Sequence, residues 1–205
     1  SAKNRDRIVA LIDDTEINAI VIDVKDSTGY ISFPVQDPYL KEFGSTQKRI
    51  ANIVDLTTLL HSKNIYIIGR VSVFQDSFMT KQKPEWAMKK KSDGSVWKDR
   101  KGMSFMDPAN PDVLKYTVAI AKEAYSLGFD EINLDYIRYP SDGNVKDINY
   151  KLKEGETRRD HMRTFFISLN KEMKSKDNIP TSADLFGLTT TEKTDMGIGQ
   201  VIEDA

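Results

Sequence analysis

Acidic residues near the ends of apolar stretches are the features of this sequence best suited to chemistry. Residues 128–140, GFDEINLDYIRYP, place Asp135 late in a predicted strand, with Arg138 just beyond it. The two-residue period of a strand puts Asp135 on the face opposite Leu134. The C-terminal ends of parallel strands are where α/β barrels carry their active sites. A purely structural ion pair between Asp135 and Arg138 is the alternative.

Two more predicted strands end in carboxylates. Asp23, Lys25 and Asp26 close the strand predicted over residues 17–25, just before a turn. Asp23 and Asp26 could bind a ligand, or Lys25 could simply neutralise one of them, and the sequence leaves both readings open. Asp184 lies near the end of the strand predicted over residues 179–186.

Arg70 interrupts the apolar strand predicted over residues 65–74. A charged residue inside a buried strand needs a partner, because unpaired charges are costly to bury. We predict that Arg70 points inward and pairs with Asp23 or Asp135, which would favour the ionised form of that carboxylate. An outward Arg70 paired with an acid on a helix is the alternative.

Residues 75–109 form a long excursion between predicted elements and contain both tryptophans, Trp86 and Trp97. Excursions of this length in a compact domain are often functional. A flat indole ring can stack on a sugar while its N–H bonds a hydroxyl. We predict that the excursion lies at the C-terminal face of the domain. One tryptophan is expected to contact substrate and the other to pack the excursion onto the domain.

The rest of the chain supplies alternating helices and strands, which indicates βα units and a parallel sheet. Helices are predicted over residues 4–15, 47–62, 110–127 and 157–175, strands over 17–25, 65–74, 129–137 and 179–186, a loop over 30–46, and the start of another helix over 196–205. The 205 residues fit one domain, 1–205, with one core.

Composition excludes several classes of function. The formal net charge of −1 gives no reason to expect nucleic acid as a partner, and no apolar run is long enough to span a membrane. The chain has no cysteine and two histidines, so disulfides are excluded and a transition-metal site is not expected. No nucleotide-binding motif is present, so we predict no cofactor.

The stretch at residues 128–140 resembles the fourth-strand signature of a family of glycosyl hydrolase domains with a TIM-barrel fold. Members of that family read roughly GFDEI, one apolar or polar residue, then FDYIRFP. The resemblance extends to AIVIDVKDSTGYI near the start, to residues 97–108 and to SADLFG near the end. It implies a bacterial (β/α)8 barrel acting on carbohydrate, exported or attached to the cell envelope, although these residues contain no signal peptide.

A barrel of this type takes about 250 residues, so the four predicted strands indicate a partial barrel. By comparison with the family, they correspond to strands two to five, with the first strand before Ser1 and the later ones after Ala205. Open sheet edges favour pairing with other chains, which predicts self-association.

Within this resemblance, glycoside hydrolysis on a poly- or oligosaccharide is the predicted reaction. It usually requires two carboxyl groups around one bond, one of them protonated. Asp135 is the candidate nucleophile or charge stabiliser, and Asp184, next to the apolar Leu185 and Phe186, is the candidate acid/base. Asp23, Asp26, Arg70 and Arg138, with Trp86 and Trp97, are the candidate substrate-binding residues.

The same stretch argues against chitinase-type chemistry. The signature DxxDxDxE aligns with Asp130 and Asp135, but Asn133 replaces its middle acid and Ile137 its catalytic Glu. Two other classes remain open: a non-catalytic carbohydrate-binding barrel and a structural module of the cell envelope. The first would lack a second carboxyl group near Asp135, and the second would pair all strand-end charges and show no open pocket.

Overall fold

The structure is a computed structural model and describes residues 2–175, 177–190 and 198–199. Within these ranges the helices are α1 (Ala2–Asp13), α2 (Pro38–Phe43), α3 (Ile53–Ser62), α4 (Ser77–Gln82), α5 (Pro111–Ser126) and α6 (Arg158–Lys174). The strands are β1 (Ala19–Lys25), β2 (Tyr66–Ser72), β3 (Lys89–Lys90), β4 (Glu131–Asp135), β5 (Ile148–Asn149) and β6 (Thr181–Ala183). Short 3₁₀ helices cover Pro84–Trp86, Val145–Asp147 and Gly187–Thr190.

Four strands form one parallel sheet in the order β1-β2-β4-β6. This confirms the predicted α/β fold of the (β/α)8-barrel type, present here as part of a barrel. The strands of the sheet are joined through α3, α5 and α6, the arrangement expected for βα units. Among the described residues, β1 and β6 each pair on one side only.

The two faces of the sheet have different compositions. Ile67, Val71 and Ile132 are fully buried and belong to the core that includes the helices. The opposite face carries polar side chains, and the strand register places Arg70 beside Asp23 on one side and Asn133 on the other. This polar face corresponds to the interior of a barrel, and its last residues lie at the C-terminal ends of the strands.

Local capping explains where the helices differ from the sequence prediction. The predicted loop over residues 30–46 contains α2, because Asp37 accepts hydrogen bonds from two backbone N–H groups of its first turn and Pro38 occupies its start. Gly44, with a φ of 63°, ends this helix. Helix α3 begins six residues later than predicted, because the side chain of Asn52 caps it.

The excursion over residues 75–109 follows the C-terminal end of β2 and has structure of its own. It contains α4, a 3₁₀ turn and β3, which pairs antiparallel with β5 from the loop after β4. The connection that follows β2 and the connection that follows β4 are therefore joined by backbone hydrogen bonds between β3 and β5.

Of the residues predicted to start a last helix, 196–205, the structure describes only Ile198 and Gly199, which form a turn, so that prediction lies outside the described residues. No described helix is both long and apolar enough to cross a membrane.

Candidate active site

Asp135 ends β4 and is held from two sides. Its Oδ1 accepts the backbone N–H of Tyr136 at 2.6 Å, and its Oδ2 accepts a hydrogen bond from Nη2 of Arg70. Tyr136 has a φ of 51°, so the chain turns sharply after the strand. The Asp135 side chain is 17% exposed, which leaves this carboxylate fixed but in contact with solvent.

Arg70 connects three carboxylates, one on β1, one at the end of β4 and one just after β6. Besides Asp135, its Nη1 donates to Oδ1 of Asp23 at 3.2 Å, and its Nε lies 3.9 Å from Oδ2 of Asp184. Burial works against the charged guanidinium, but the charge of Asp135 and the hydrogen bonds to Asp23 and Asp135 outweigh it and raise the pKa of Arg70. Arg70 therefore points inward, as predicted from the sequence, and it pairs with both predicted partners, Asp23 and Asp135.

Asp184 follows β6 and is held by β4. Its backbone N–H donates to the carbonyl of Leu134 at 2.8 Å, and Nδ2 of Asn133 donates to its Oδ1 at 3.1 Å. The side chain is 52% exposed. Leu185 and Phe186, its apolar neighbours in the sequence, therefore leave the carboxyl group of Asp184 accessible to solvent.

Asp135 and Asp184 open into the same cavity, which has a volume of about 210 Å³. Arg138 also lines it, with its guanidinium carbon 4.8 Å from the ring centroid of Phe186. The remaining lining residues are Tyr136, Ile137, Leu185, Phe186 and Gly187. The cavity therefore brings together both predicted catalytic carboxylates and one predicted substrate-binding arginine.

Asp26 and Lys25 have partners away from Arg70. Asp26 accepts hydrogen bonds from Thr28 and Arg49, so it stabilises the turn after β1. Lys25 forms a fully buried ion pair with Asp76 at 2.7 Å. The alternative in which Lys25 neutralises Asp23 or Asp26 is therefore wrong, because β1 turns Lys25 into the core beneath the excursion.

Both tryptophans pack the excursion, which corrects the prediction that one of them contacts substrate. Trp86 is 5% exposed and lies against Phe43 and Tyr116. Trp97 is 1% exposed, and its Nε1 donates to the carbonyl of Asn144 at 2.9 Å. Neither ring presents a face to a sugar, because both rings are buried in the main hydrophobic core of the described residues.

Two residues in this region have roles that the sequence prediction did not assign. Asn133 orients Asp184, and Asp76 pairs with Lys25 while capping α4 through the backbone N–H of Met79. The strand period already places Asn133 on the face of Asp135, so it could have been found. The pairing of Asp76 with Lys25, 51 residues apart, had no local signal.

No group of three or more histidine, cysteine or carboxylate side chains is suitably placed to hold a metal ion in the described part of the chain. The aspartates around Arg70 are instead arranged around a guanidinium. The geometry offers two carboxyl groups at the C-terminal ends of neighbouring strands: Asp135, which is hydrogen-bonded to Arg70, and Asp184, which is half exposed.

A family model described as "Putative glycosyl hydrolase domain" matches residues 1–205. No curated protein sequence shows significant similarity to the chain. Among solved structures, a hypothetical protein from Ruminiclostridium thermocellum ATCC 27405 is 33% identical with a TM-score of 0.81, over 91% of this chain and 93% of that one.

Two enzymes of known name share the fold at lower identity. The α-L-fucosidase isoenzyme 2 from Paenibacillus thiaminolyticus is 17% identical with a TM-score of 0.61, over 90% of this chain and 29% of that one. The α-galactosidase from Lactobacillus brevis is 14% identical with a TM-score of 0.56, over 87% of this chain and 25% of that one. This chain thus spans less than a third of either enzyme.

Proposed function

The chain belongs to the family described as "Putative glycosyl hydrolase domain", and from this premise we propose that it hydrolyses a glycosidic bond in an oligo- or polysaccharide. The observation that carries the proposal is the shared cavity of Asp135 and Asp184 at the C-terminal ends of neighbouring parallel strands. A pair of carboxyl groups flanking one bond is the usual requirement of this reaction.

Asp135 is the charge stabiliser or nucleophile in this proposal. Arg70 and the backbone N–H of Tyr136 both donate hydrogen bonds to it, which fix the orientation of its carboxylate in the cavity. A fixed negative charge at this position stabilises the positive charge that develops on the sugar ring, or attacks the anomeric carbon directly.

Asp184 is the acid/base. Asn133 donates to its Oδ1, so Oδ2 is the oxygen left to exchange a proton with the leaving oxygen of the substrate. Its half-exposed position allows a water molecule to reach it in the second half of the reaction. Asn133 is a positioning residue because it acts on the sugar only through Asp184.

The test is a hydrolysis screen over aryl glycosides and polysaccharides, followed by Asp135→Asn and Asp184→Asn. We expect each variant to lose activity by about 10²- to 10⁴-fold, as is usual when an acid–base group is removed. Asp14→Asn is the matched control, because Asp14 is exposed after α1, before the N-terminal end of β1. Unchanged turnover in either active-site variant would remove that residue from catalysis.

A non-catalytic carbohydrate-binding barrel is the second candidate. Asp184 supplies the second carboxyl group that such a barrel was expected to lack, so the observation that favours this candidate is a different one: Asp135 already accepts hydrogen bonds from Arg70 and a backbone N–H. If it is correct, no substrate is hydrolysed, and Asp135→Asn retains both the fold and sugar binding. Binding by calorimetry alongside the hydrolysis screen distinguishes the two candidates.

A further inference from the structure

Arg138 is the only cation that lines the 210 Å³ cavity among the described residues. Its Nη1 donates to the carbonyl of Tyr139 at 3.2 Å and to the hydroxyl of Ser141 at 3.0 Å. Its Nε and Nη2 bond to no described residue, and no carboxylate of the described residues forms an ion pair with it. Arg70, by contrast, already has three aspartates around it.

The surroundings of Arg138 restrict how a ligand can meet it. The ring of Phe186 covers one face of the guanidinium, and burial lowers the pKa of Arg138. With one face stacked and Nη1 occupied, the edge formed by Nε–H and Nη2–H remains for a ligand. Two parallel donors on one planar edge match the two oxygens of a carboxylate.

We propose that Arg138 forms a subsite for the carboxylate of an acidic sugar, so that the substrate is a uronate-containing oligosaccharide. This inference rests on the proposed function, because Asp135 and Asp184 share the cavity with Arg138. The negative charges of Asp135 and Asp142 also act on Arg138, so an anion gains there only in direct contact with the guanidinium. A carboxylate on a sugar ring meets this need for direct contact, because the bound ring holds it against the guanidinium. A freely diffusing anion is not held in this way.

The experiment measures equilibrium binding by calorimetry, with trisaccharides in three matched forms: galacturonate, neutral galactose and sulfated galactose. A charge-assisted, bidentate contact predicts that the uronate form binds roughly ten- to a hundredfold more tightly than the neutral form. Arg138→Gln should abolish this preference, because it weakens binding of the uronate form much more than binding of the neutral form. A second series, with glucuronate, glucose and sulfated glucose, is measured in parallel. The two series differ in the orientation of one ring hydroxyl, so the result does not depend on that hydroxyl.

Arg163→Gln is the matched control, since Arg163 is an exposed arginine on α6 that does not line this cavity. It should keep the full preference for uronate. Arg138→Lys retains the charge without the planar fork, and we expect it to keep only part of the preference. Circular dichroism and thermal melting check whether each variant is folded. If Arg138→Gln does not fold, Arg138→Lys provides the test.

Three results would each overturn the proposal. The uronate and neutral forms could bind equally, both uronate series could fail to bind, or the preference for uronate could survive Arg138→Gln. Tighter binding of the sulfated form would also overturn it, because sulfate would then be the recognised group. The proposed hydrolysis is tested separately. A preference for uronate without turnover would contradict the hydrolase function and support the carboxylate subsite. Turnover of neutral sugars without a preference for uronate would support the hydrolase function and contradict the subsite.

Discussion

Arg70 is the residue on which the candidate site depends. It is a charged residue in the middle of a strand, and its guanidinium reaches aspartates on β1, on β4 and after β6. A planar group with five donors can serve three carboxylates at once, which a lysine ammonium does not match in geometry. Removing Arg70 would leave Asp135, with its small exposed fraction, without its counter-charge.

Asp26 allows a prediction at the same scale, because its pKa is shifted. Burial works against its carboxylate, but hydrogen bonds from Thr28 and Arg49 outweigh that effect, so the pKa of Asp26 is lowered from its ordinary 3.8. A lowered pKa adds stability that is fully present above pH 3.8 and disappears as the pH falls through the folded-state pKa. Asp26→Asn should therefore destabilise the fold by about 1 kcal/mol or less at neutral pH, since the ion pair is partly solvated.

The measurement is urea unfolding of the wild type and Asp26→Asn between pH 2 and pH 7. The difference in free energy of unfolding should shrink towards zero below pH 3.8. Asp6→Asn is the control, because the described partner of the Asp6 side chain is the neighbouring Arg5, on an exposed helix face. A difference that stays constant across this pH range would contradict the assignment.

At the scale of elements, the excursion is fastened to the sheet by a buried charge pair. Lys25 at the end of β1 and Asp76 at the start of α4 are 1% and 0% exposed. Gly29 lies so close that a Cβ at its position would be 1.9 Å from Asp76 Oδ1. The turn after β1 therefore has to be glycine for Asp76 to reach both Lys25 and the N-terminus of α4.

Lys25→Met should strongly destabilise the protein, because it leaves the Asp76 carboxylate buried without its cation. Breaking one partner of a buried pair typically costs about 3 to 5 kcal/mol. Lys63→Met is the matched control, since Lys63 pairs with Asp13 at the surface and its loss should cost about 1 kcal/mol or less. Equal losses in the two variants, measured by urea unfolding, would contradict the structural role of the buried pair.

At the scale of the whole molecule, the sheet has two open edges among the described residues. β1 and β6 each present unpaired backbone groups, and Val21 on β1 is 56% exposed. Exposed edges of this kind favour pairing between chains. We predict that the 205-residue chain associates in a concentration-dependent manner, as measured by sedimentation velocity.

Val21→Lys should weaken that association, because an inward-facing charge on an edge strand opposes pairing. Val54→Lys serves as the control, since Val54 is similarly exposed but lies on α3. A wild-type chain that sediments as a monomer at all concentrations would contradict the prediction.

Much of the fold was determined by local sequence patterns. Alternating apolar stretches predicted all four strands of the parallel sheet, and the helix of residues 111–126 was bounded by Asn110, Pro111 and Gly128. The period of two in a strand also placed Asp135 on the polar face of the sheet. These features depend on neighbours within a few residues, so the sequence alone carries them.

The tertiary structure decided which residues meet. Asp26 and Asp23 are three positions apart, yet only Asp23 reaches Arg70, because the chain turns after β1. The tryptophans are buried in the main core, where Trp86 contacts Phe43 and Tyr116, and Lys25 pairs with Asp76 rather than with its neighbours. Such contacts join residues tens of positions apart, so they are fixed by packing and by the cost of buried unpaired charge, which no local pattern encodes.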